Sequence, residues 1–468
     1  MSVFVFEPFA LDPARRRLTK SGEPVAISER QLEVLLRLVA QAGQIVAKDD
    51  LISAAWQDVA VADNSLEQAI STLRRILGAD PSGGLYIETV PRRGYRFGAA
   101  VQRKAARESD AGLDALLAPH RAFVEGRAAL ETLEAGQIVR ALEVFEGAVA
   151  AVPEYAAAHL GLANACLMRF ETTRADPAPD GNALARAVHH ARDACRLDPA
   201  SAEAWATLGF VLGRTTHRVD ALAAANRATA LEPDNWRHHF RLAYVSWGEA
   251  RLRAAHRTLA LLPEFPLAHW LAATVYVARQ ALDEAERELA AGLAPQSSGD
   301  LPRARFGAVA LHWLRGLVHL ARGDDDRALA EFERELAGEG AGHMYSRECC
   351  ANTWYAVGAL RARQGRAQEA LDAFGQALDR VASHPMALAA LNRDPIGAAD
   401  SYTLSLAGAI RLAIGGAHAG AARSVADALA AADEGNAFWL LPIEPILHVT
   451  AHADVWAEPL ARLRSRAA

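Results

Sequence analysis

The sequence predicts an α+β domain over residues 1–100, followed by an all-α solenoid of helical hairpins. Three observations predict this architecture. Short β-rich runs alternate with amphipathic helical segments in the first hundred residues, helical periodicity dominates the remainder, and a 34-residue pattern of small residues recurs in that second part. A chain of 468 residues is also too long for a single hydrophobic core, so separate domains are expected.

The charge of the chain is unevenly distributed. Residues 1–104 contain 14 Lys and Arg against 12 Asp and Glu, whereas the remainder contains 36 against 44. Arginines also cluster at Arg15–Arg17, at Arg74 and Arg75, and at Arg92, Arg93 and Arg96. Any one cluster is consistent with a solvated face, but a fold that brings several together would attract phosphates.

The first hundred residues begin with a small antiparallel sheet and a capped helix. Four β-rich runs bounded by Pro, Asp or Gly predict strands at residues 3–6, 9–12, 15–20 and 24–28. Ser28 and Gln31 then form a capping box, which predicts the start of the first helix, and Gly43 predicts its end.

Two further helices follow. Lys48 begins KDDLISAAW, and Asn64 begins NSLEQAISTLRRIL, whose apolar residues recur with helical spacing. The opposite face of this third helix carries amide, hydroxyl and guanidinium side chains, which can pair with base edges or phosphates in the major groove. A polar helix face alone is more often solvent surface. The groove-facing residues are Asn64, Gln68, Ser71, Thr72 and Arg75.

A predicted β-hairpin with arginines at its tip follows the third helix and favours a DNA-binding role for its polar face. In YIETVPRRGYRFGAAV, two β-rich runs flank Pro91, Arg92, Arg93 and Gly94. A hairpin of this kind can lie along the DNA backbone and direct arginine into the minor groove.

The order of sheet, three helices and arginine-tipped hairpin resembles the bacterial OmpR/PhoB-type winged helix-turn-helix transcription regulators, especially their ToxR/CadC/HilA-like branch. The motifs NSLEQAISTLRRIL and YIETVPRRGYRF carry this resemblance, which covers nearly all of residues 1–100. It implies sequence-specific binding of double-stranded promoter DNA at direct repeats, with the third helix in the major groove. It implies wing contacts by Arg93 and Arg96, and backbone contacts by Arg74 and Arg92.

The resemblance also implies that the loop Trp56–Val61 contacts RNA polymerase, although Trp56 is as readily a core residue. Two features differ from response-regulator members. Ser71 and Thr72 stand where those proteins commonly carry Arg, so a different operator is expected. The sequence has no phosphoacceptor receiver domain, so we expect a one-component regulator whose input arrives elsewhere.

Residues 101–115 are polar and aperiodic and are predicted as a linker, and residues 116–468 are predicted as helical repeats. The 34-residue segment 202–235 resembles the tetratricopeptide repeat, in which small residues let two antiparallel helices approach closely. The same spacing recurs in Gly316 with Phe332 and in Gly358 with Phe374. We expect eight to nine units forming a superhelix with a concave face, a sensor or a platform for an unknown protein or small-molecule ligand.

Several functions are not expected. The start MSVFVFEPF lacks a basic region, and no apolar run is long enough for a membrane span, so a cytoplasmic protein is predicted. No catalytic motif occurs in a fitting context, so we predict no enzyme and no cofactor. Adjacent histidines on a helix point about 100° apart. The pairs His189-His190 and His238-His239 therefore predict no metal site.

Three questions stay open at this level. Cys349 and Cys350 form a redox or soft-metal sensor, or are small apolar residues within a helix. The tryptophans of the repeats line a ligand groove or pack between helices. The chain as a whole is a DNA-binding regulator or, alternatively, a protein-interaction scaffold whose first domain no longer binds DNA.

Overall fold

The computed structural model divides the chain into two compact units, Met1–Leu117 and Ala118–Ala468. The residues that it describes are 2–13, 15–55, 64–80, 83–105, 108–131, 134–297, 307, 309–341, 343–396, 400–432 and 435–468.

The first unit alternates short strands with three helices. Four strands come first: β1 (Ser2–Phe6), β2 (Phe9–Asp12), β3 (Arg17–Lys20) and β4 (Glu23–Val25). There follow α1 (Glu29–Ala40), β5 (Ile45–Val46), α2 (Lys48–Ala55), α3 (Asn64–Leu77), β6 (Ile87–Val90), β7 (Gly94–Phe97) and β8 (Gln102–Ala105). The capping box predicted at Ser28 is present, because Ser28 Oγ accepts from Gln31 N and the Gln31 side chain accepts from Ser28 N.

The strands form two antiparallel sheets. One sheet has the order β4-β3-β2-β1-β8, and the other, β5-β7-β6, contains the arginine-tipped hairpin. A single hydrophobic core holds the apolar faces of the helices together with both sheets. At its centre, Phe6 packs 5.0 Å from Phe97 and 5.7 Å from Tyr86, measured between ring centroids. This burial fixes α3 beside the hairpin.

Part of the predicted linker has regular structure. Strand β8 pairs with β1, with Val5 opposite Gln102 and Val3 opposite Lys104, so an aperiodic segment over 101–115 is wrong for these residues. Strand β1 offers its second edge to β8, and backbone pairing of that edge does not require an apolar pattern in the partner strand. Helix α4 then begins at Glu108.

The second unit consists of helical hairpins. Eight pairs lie within the described residues, and each consists of two helices that are consecutive in the chain. In the first four pairs these are α4 (Glu108–Glu131), which begins in the first unit, with α5 (Ala135–Ala151), α6 (Ala156–Thr173) with α7 (Gly181–Leu197), α8 (Ala202–Leu212) with α9 (Arg218–Leu231), and α10 (Trp236–Val245) with α11 (Gly248–Leu261). Helix α4 contacts α5 through the rings of Phe123 and Phe145 and through the ion pair of Glu125 with Arg140. In the others they are α12 (Pro266–Ala278) with α13 (Leu282–Ser297), α14 (Leu311–Ala321) with α15 (Asp325–Ala337), α16 (Ser346–Arg363) with α17 (Ala367–Arg380), and α19 (Ser401–Ile414) with α20 (His418–Ala431). Helices α18 (Pro385–Ala390) and α21 (Ala453–Arg466) complete the unit.

The described helices include none with the length and hydropathy that crossing a bilayer requires.

Glycine and phenylalanine pack together inside several hairpins, as the repeat pattern predicts. A Cβ added to Gly316 would overlap the Phe332 ring, and one added to Gly358 would overlap the Phe374 ring. Phe145 fills the same role against Gly126 in the first hairpin, and its ring also contacts Gly161 of the next hairpin. The absence of a side chain on one helix therefore admits the aromatic ring of the next, which sets the close approach of the two helices.

The carboxyl-terminal residues depart from the predicted repeats. Residues 435–452 form turns rather than a helix pair, and α21 has no hairpin partner among the described residues. The chain end packs against helices α10 to α12: Arg279 Nε donates to Ala467 O at 2.7 Å, and Trp456 is fully buried in the core that contains Trp247. Part of the surface of these repeats is thus covered by the chain itself.

Candidate nucleic-acid interface

Helix α3 presents one apolar and one polar face. Its apolar residues are buried in the domain core, whereas Gln68, Ser71 and Arg75 are exposed and Thr72 is half-buried. Asn64 begins the helix, and its side chain lies outside the part of the chain that the structure describes. The structure therefore brings the predicted groove-facing residues from Gln68 to Arg75 onto one accessible surface.

The hairpin of β6 and β7 ends in a tight turn that carries two arginines. Arg93 N donates to Val90 O at 3.0 Å, and Arg92 adopts a φ of 62°, so Pro91 and Arg92 occupy the central positions of a type II turn. Glycine is the usual residue at the second position, and a side chain there is strained. Arg92 and Arg93 are both exposed, and neither has an ion-pair partner among the described residues.

Gly94 joins this turn to the rest of the sheet. Its φ is 131°, and a Cβ at this position would overlap the carbonyl oxygen of Val46 on β5. Strand β5 pairs with β7 at this point, with Val46 opposite Tyr95. The absence of a side chain thus lets β5 approach and hold the base of the hairpin.

Arg74 connects α3 to the hairpin. Its Nε donates to Ile87 O at 2.9 Å, and one terminal nitrogen donates to Thr89 Oγ1 at 2.7 Å. Its guanidinium carbon also lies 6.0 Å from the ring centroid of Tyr95. A phosphate contact by these two nitrogens would require both hydrogen bonds to break, so Arg74 is placed to fix the angle between helix and wing.

Arg96 is paired within the hairpin. It lies opposite Glu88 in the β6–β7 register, and its Nε donates to Glu88 Oε2 at 2.9 Å. Both side chains are about half exposed, at 44% and 40%. The predicted DNA contact of Arg96 therefore requires an exchange of Glu88 for a phosphate.

A salt bridge connects the second and third helices. Lys48 Nζ lies 3.0 Å from Glu67 Oε1, joining the start of α2 to the first turns of α3. The loop Trp56–Val61, for which the resemblance implies an RNA polymerase contact, lies outside the described residues.

The open questions on the repeats are answered by burial. Cys349 and Cys350 are buried in α16, and burial raises the pKa of both thiols, that of Cys350 to about 11. They are therefore protonated and poorly nucleophilic, which favours the packing interpretation. Trp247, Trp270, Trp313 and Trp354 belong to the hydrophobic clusters of the repeats and likewise act in helix packing.

Comparison with known proteins gives matches in the amino-terminal unit. Residues 22–97 match the family described as "Transcriptional regulatory protein, C terminal". The cholera toxin transcriptional activator of Vibrio cholerae is 34% identical over 116 residues, 23% of this chain and 40% of that protein. The transcriptional regulator HilA of Salmonella typhimurium is 40% identical over 98 residues, 21% of this chain and 17% of that protein. This chain thus spans less than half of either relative.

A solved structure matches the same unit. The DNA-binding domain of Escherichia coli CadC is 26% identical, covers 22% of this chain and 98% of its own, and superimposes with a TM-score of 0.21. From the family match and the arrangement of its sheets and helices, the amino-terminal unit of this chain is a winged helix-turn-helix domain of the OmpR/PhoB type, followed by helical repeats.

Proposed function

We propose that the chain is a sequence-specific DNA-binding regulator of transcription, with α3 in the major groove and the β6–β7 wing in the minor groove. The observation that carries this proposal is the pairing of two surfaces. The exposed polar face of α3 lies beside a hairpin whose tip carries two arginines with no ion-pair partner in the described part of the chain, and Arg74 bonds the two elements together. A helix and a wing fixed in this way can engage adjacent grooves of one duplex.

In this proposal, the polar residues of α3 recognise the bases. The Gln68 amide can pair with adenine, the Arg75 guanidinium with guanine, and the hydroxyls of Ser71 and Thr72 with several base edges. Each good pairing discriminates against a wrong base by about 1–3 kcal/mol. With hydroxyls at two central positions, this helix selects an operator unlike that of relatives carrying arginine there.

The wing provides most of the affinity for DNA. Arg92 and Arg93 project where a phosphate or a narrow minor groove can accept them, since no carboxylate among the described residues neutralises them. Arg96 joins them once a phosphate replaces Glu88. Two copies on direct repeats, and an RNA polymerase contact through Trp56–Val61, complete the proposed arrangement.

The repeats supply regulation in this proposal, as a sensor or a platform for a protein or small-molecule partner. The chain end already covers part of helices α10 to α12. The proposed partner therefore binds another part of the repeats or displaces this segment.

The competing proposal is an interaction scaffold whose winged helix no longer binds DNA. Such a domain would be free to lose its wing arginines and its polar helix face. Both are retained here, and Arg92 is retained at a backbone conformation that favours glycine. These observations favour the DNA-binding proposal.

A band-shift assay with fragments of candidate promoters tests the proposal on the full chain. We expect Arg93→Ala to weaken binding to every fragment, and Thr72→Ala to reduce the difference between the best and the other fragments. Arg17→Ala, which removes an exposed arginine from β3 in the other sheet, is the control and should bind like wild type. Equally weak binding of all fragments by wild type and every variant would instead support the scaffold.

A further inference from the structure

Three metal-ligating side chains converge between α6 and α7. His159 Nδ1 on α6 lies 3.1 Å from His190 Nδ1 on α7, and 3.8 Å from Asp193 Oδ2 one turn further along α7. All three ligand atoms lie within 4.8 Å of one another. No other group of three such residues with converging ligand atoms occurs in the described ranges.

The tautomer of His159 leaves a lone pair directed into this cluster. Its Nε2 lies 2.9 Å from the carbonyl oxygen of Pro153, which can only accept, so Nε2 carries the proton. In a neutral imidazole Nδ1 is then the unprotonated nitrogen, and it faces His190 and Asp193. A backbone carbonyl that fixes the far nitrogen is the usual outer partner of a metal-binding histidine.

The packing of the repeats explains the contact of His159 Nε2 with the Pro153 carbonyl, but not the contacts of His159 Nδ1. Trp205 Nε1 donates to Pro199 O at 2.9 Å, and His239 Nε2 contacts Pro233 O at 2.8 Å. Each ring stands six residues after its proline, as His159 does, so the contact with the carbonyl is a packing feature of the repeats. The approach of His190 and Asp193 to the second nitrogen of His159 is not part of this repeat contact, and a bound cation would replace the hydrogen bond that His190 Nδ1 donates to His159 Nδ1.

The carboxylate of Asp193 is oriented by its neighbours. Arg196 donates to Oδ1 at 3.1 Å, which leaves Oδ2 directed towards the histidines. His189 Nε2 lies 3.2 Å from the same Oδ2, and the His189 side chain is 70% exposed. The cluster therefore opens to solvent on one side, where a fourth nitrogen is available.

We propose that His159, His190 and Asp193 bind a divalent transition-metal ion of the Zn²⁺ class, with His189 or water as the fourth ligand. Tetrahedral coordination at about 2.0–2.1 Å separates ligand atoms by about 3.3 Å. The separations of His159 Nδ1 from the other two ligand atoms, 3.1 and 3.8 Å, are close to this value, and all three atoms lie within 4.8 Å of one another. Imidazole and carboxylate ligands suit Zn²⁺, Co²⁺ and Ni²⁺. The site goes beyond the proposed DNA binding and does not depend on it.

The test is a titration of the chelator-treated full chain with Zn²⁺, followed by calorimetry, and with Co²⁺, followed by visible absorption. We expect one equivalent to bind, with the absorption of tetrahedral Co²⁺. His190→Asn and Asp193→Asn should each weaken binding at least 10- to 100-fold, since loss of an outer partner alone has that effect. His239→Asn, at the equivalent repeat position, should bind like wild type. Circular dichroism confirms that each variant is folded.

Two outcomes would overturn the site. One is the absence of binding to folded wild type. The other is equal affinity of wild type and both cluster variants, which would place the ion elsewhere. Burial raises the pKa of Cys166 to about 11 and that of Cys195 to about 12, so these thiols are protonated at pH 7 and must release a proton before they can bind the ion. Metal binding is measured without DNA, so a negative result would not contradict the proposed DNA binding.

Discussion

Arg92 and Arg93 differ from Arg96 of the wing and from Arg74 of α3 in having no ion-pair partner among the described residues. Arg96 is neutralised by Glu88, and Arg74 is bonded to Ile87 and Thr89. In the proposed DNA complex, electrostatic attraction therefore depends mainly on the turn rather than on the strand that follows it.

Replacing Arg93 should reduce both the affinity for DNA and its dependence on salt. One phosphate contact contributes about 0.9 to the slope of log K against log salt. We expect Arg93→Ala to lower the magnitude of this slope by up to about 0.9 on every duplex tested, as measured by fluorescence anisotropy. Arg17→Ala should leave the slope unchanged, and a similar change in both variants would remove Arg93 from the interface.

Replacing Glu88 should have the opposite effect. Glu88→Gln removes the carboxylate that pairs with Arg96 and frees the guanidinium for a phosphate. We expect tighter binding and a slope steeper by up to about 0.9 in the same titrations. Glu23→Gln on β4 removes an equal charge from the other sheet. If it tightens binding as much, the effect is one of net charge rather than of Arg96.

Periodicity predicts which residues of α3 are exposed, but not which arginines are already bonded. The partners of Arg74 and Arg96 depend on the register of β6 with β7 and on the approach of α3 to β6, neither of which a single sequence specifies. The convergence of His159, His190 and Asp193 was not predicted, for the same reason. His159 is 31 residues from His190 and on another helix, so neighbouring histidines in sequence gave no signal.

Elements with local signals were predicted closely. The third helix has the predicted segment Asn64–Leu77, and the capping box begins the first helix as predicted. Strands β5 and β8 have no such signal, because they are short and pair with edges formed by distant residues. The turns over residues 435–452 were likewise not predicted. Apolar periodicity shows that residues are buried, but not which other part of the chain they pack against.

Close contact between helices in the repeats can be tested by replacing two glycines, one at a helix contact and one on an open surface. Gly316→Ala places a methyl group against the Phe332 ring, and we expect a loss of about 1–3 kcal/mol in the free energy of unfolding. Gly375→Ala in α17 meets no atom within 4 Å and should be neutral or stabilising by up to about 1 kcal/mol.

Tryptophan fluorescence in urea provides the measurement for both variants, because eight of the nine tryptophans follow residue 200 and report on the repeats. Equal destabilisation by the two variants would contradict the packing role assigned to Gly316.

In the second unit, the chain end is part of the core of earlier hairpins. Glu444, from the irregular segment before α21, is buried against α16, where it accepts hydrogen bonds from Tyr355 Oη and from the amides of Ile446 and Leu447. Burial raises its pKa from 4.5 to about 7 despite these bonds. The packing of this segment is therefore sensitive to pH.

The folded state holds a proton on Glu444 more tightly than the unfolded state does. Its stabilising contribution is thus fully present below about pH 4.5 and is lost as the pH rises through about 7, a change of about 3 kcal/mol. Glu444→Gln does not titrate, so its stability relative to wild type should increase across this range, measured by the same fluorescence. The exposed control Glu458→Gln should follow wild type, and parallel curves for all three proteins would contradict the assignment.

Recognition of base sequence by α3 can be tested by selecting binding sites from random duplex DNA with the full chain. We expect an enriched motif in two direct copies about 10 base pairs apart, and loss of preference at defined positions of each copy with Gln68→Ala. No enriched motif, or the same motif selected unchanged by Gln68→Ala, Thr72→Ala and Arg75→Ala, would contradict it.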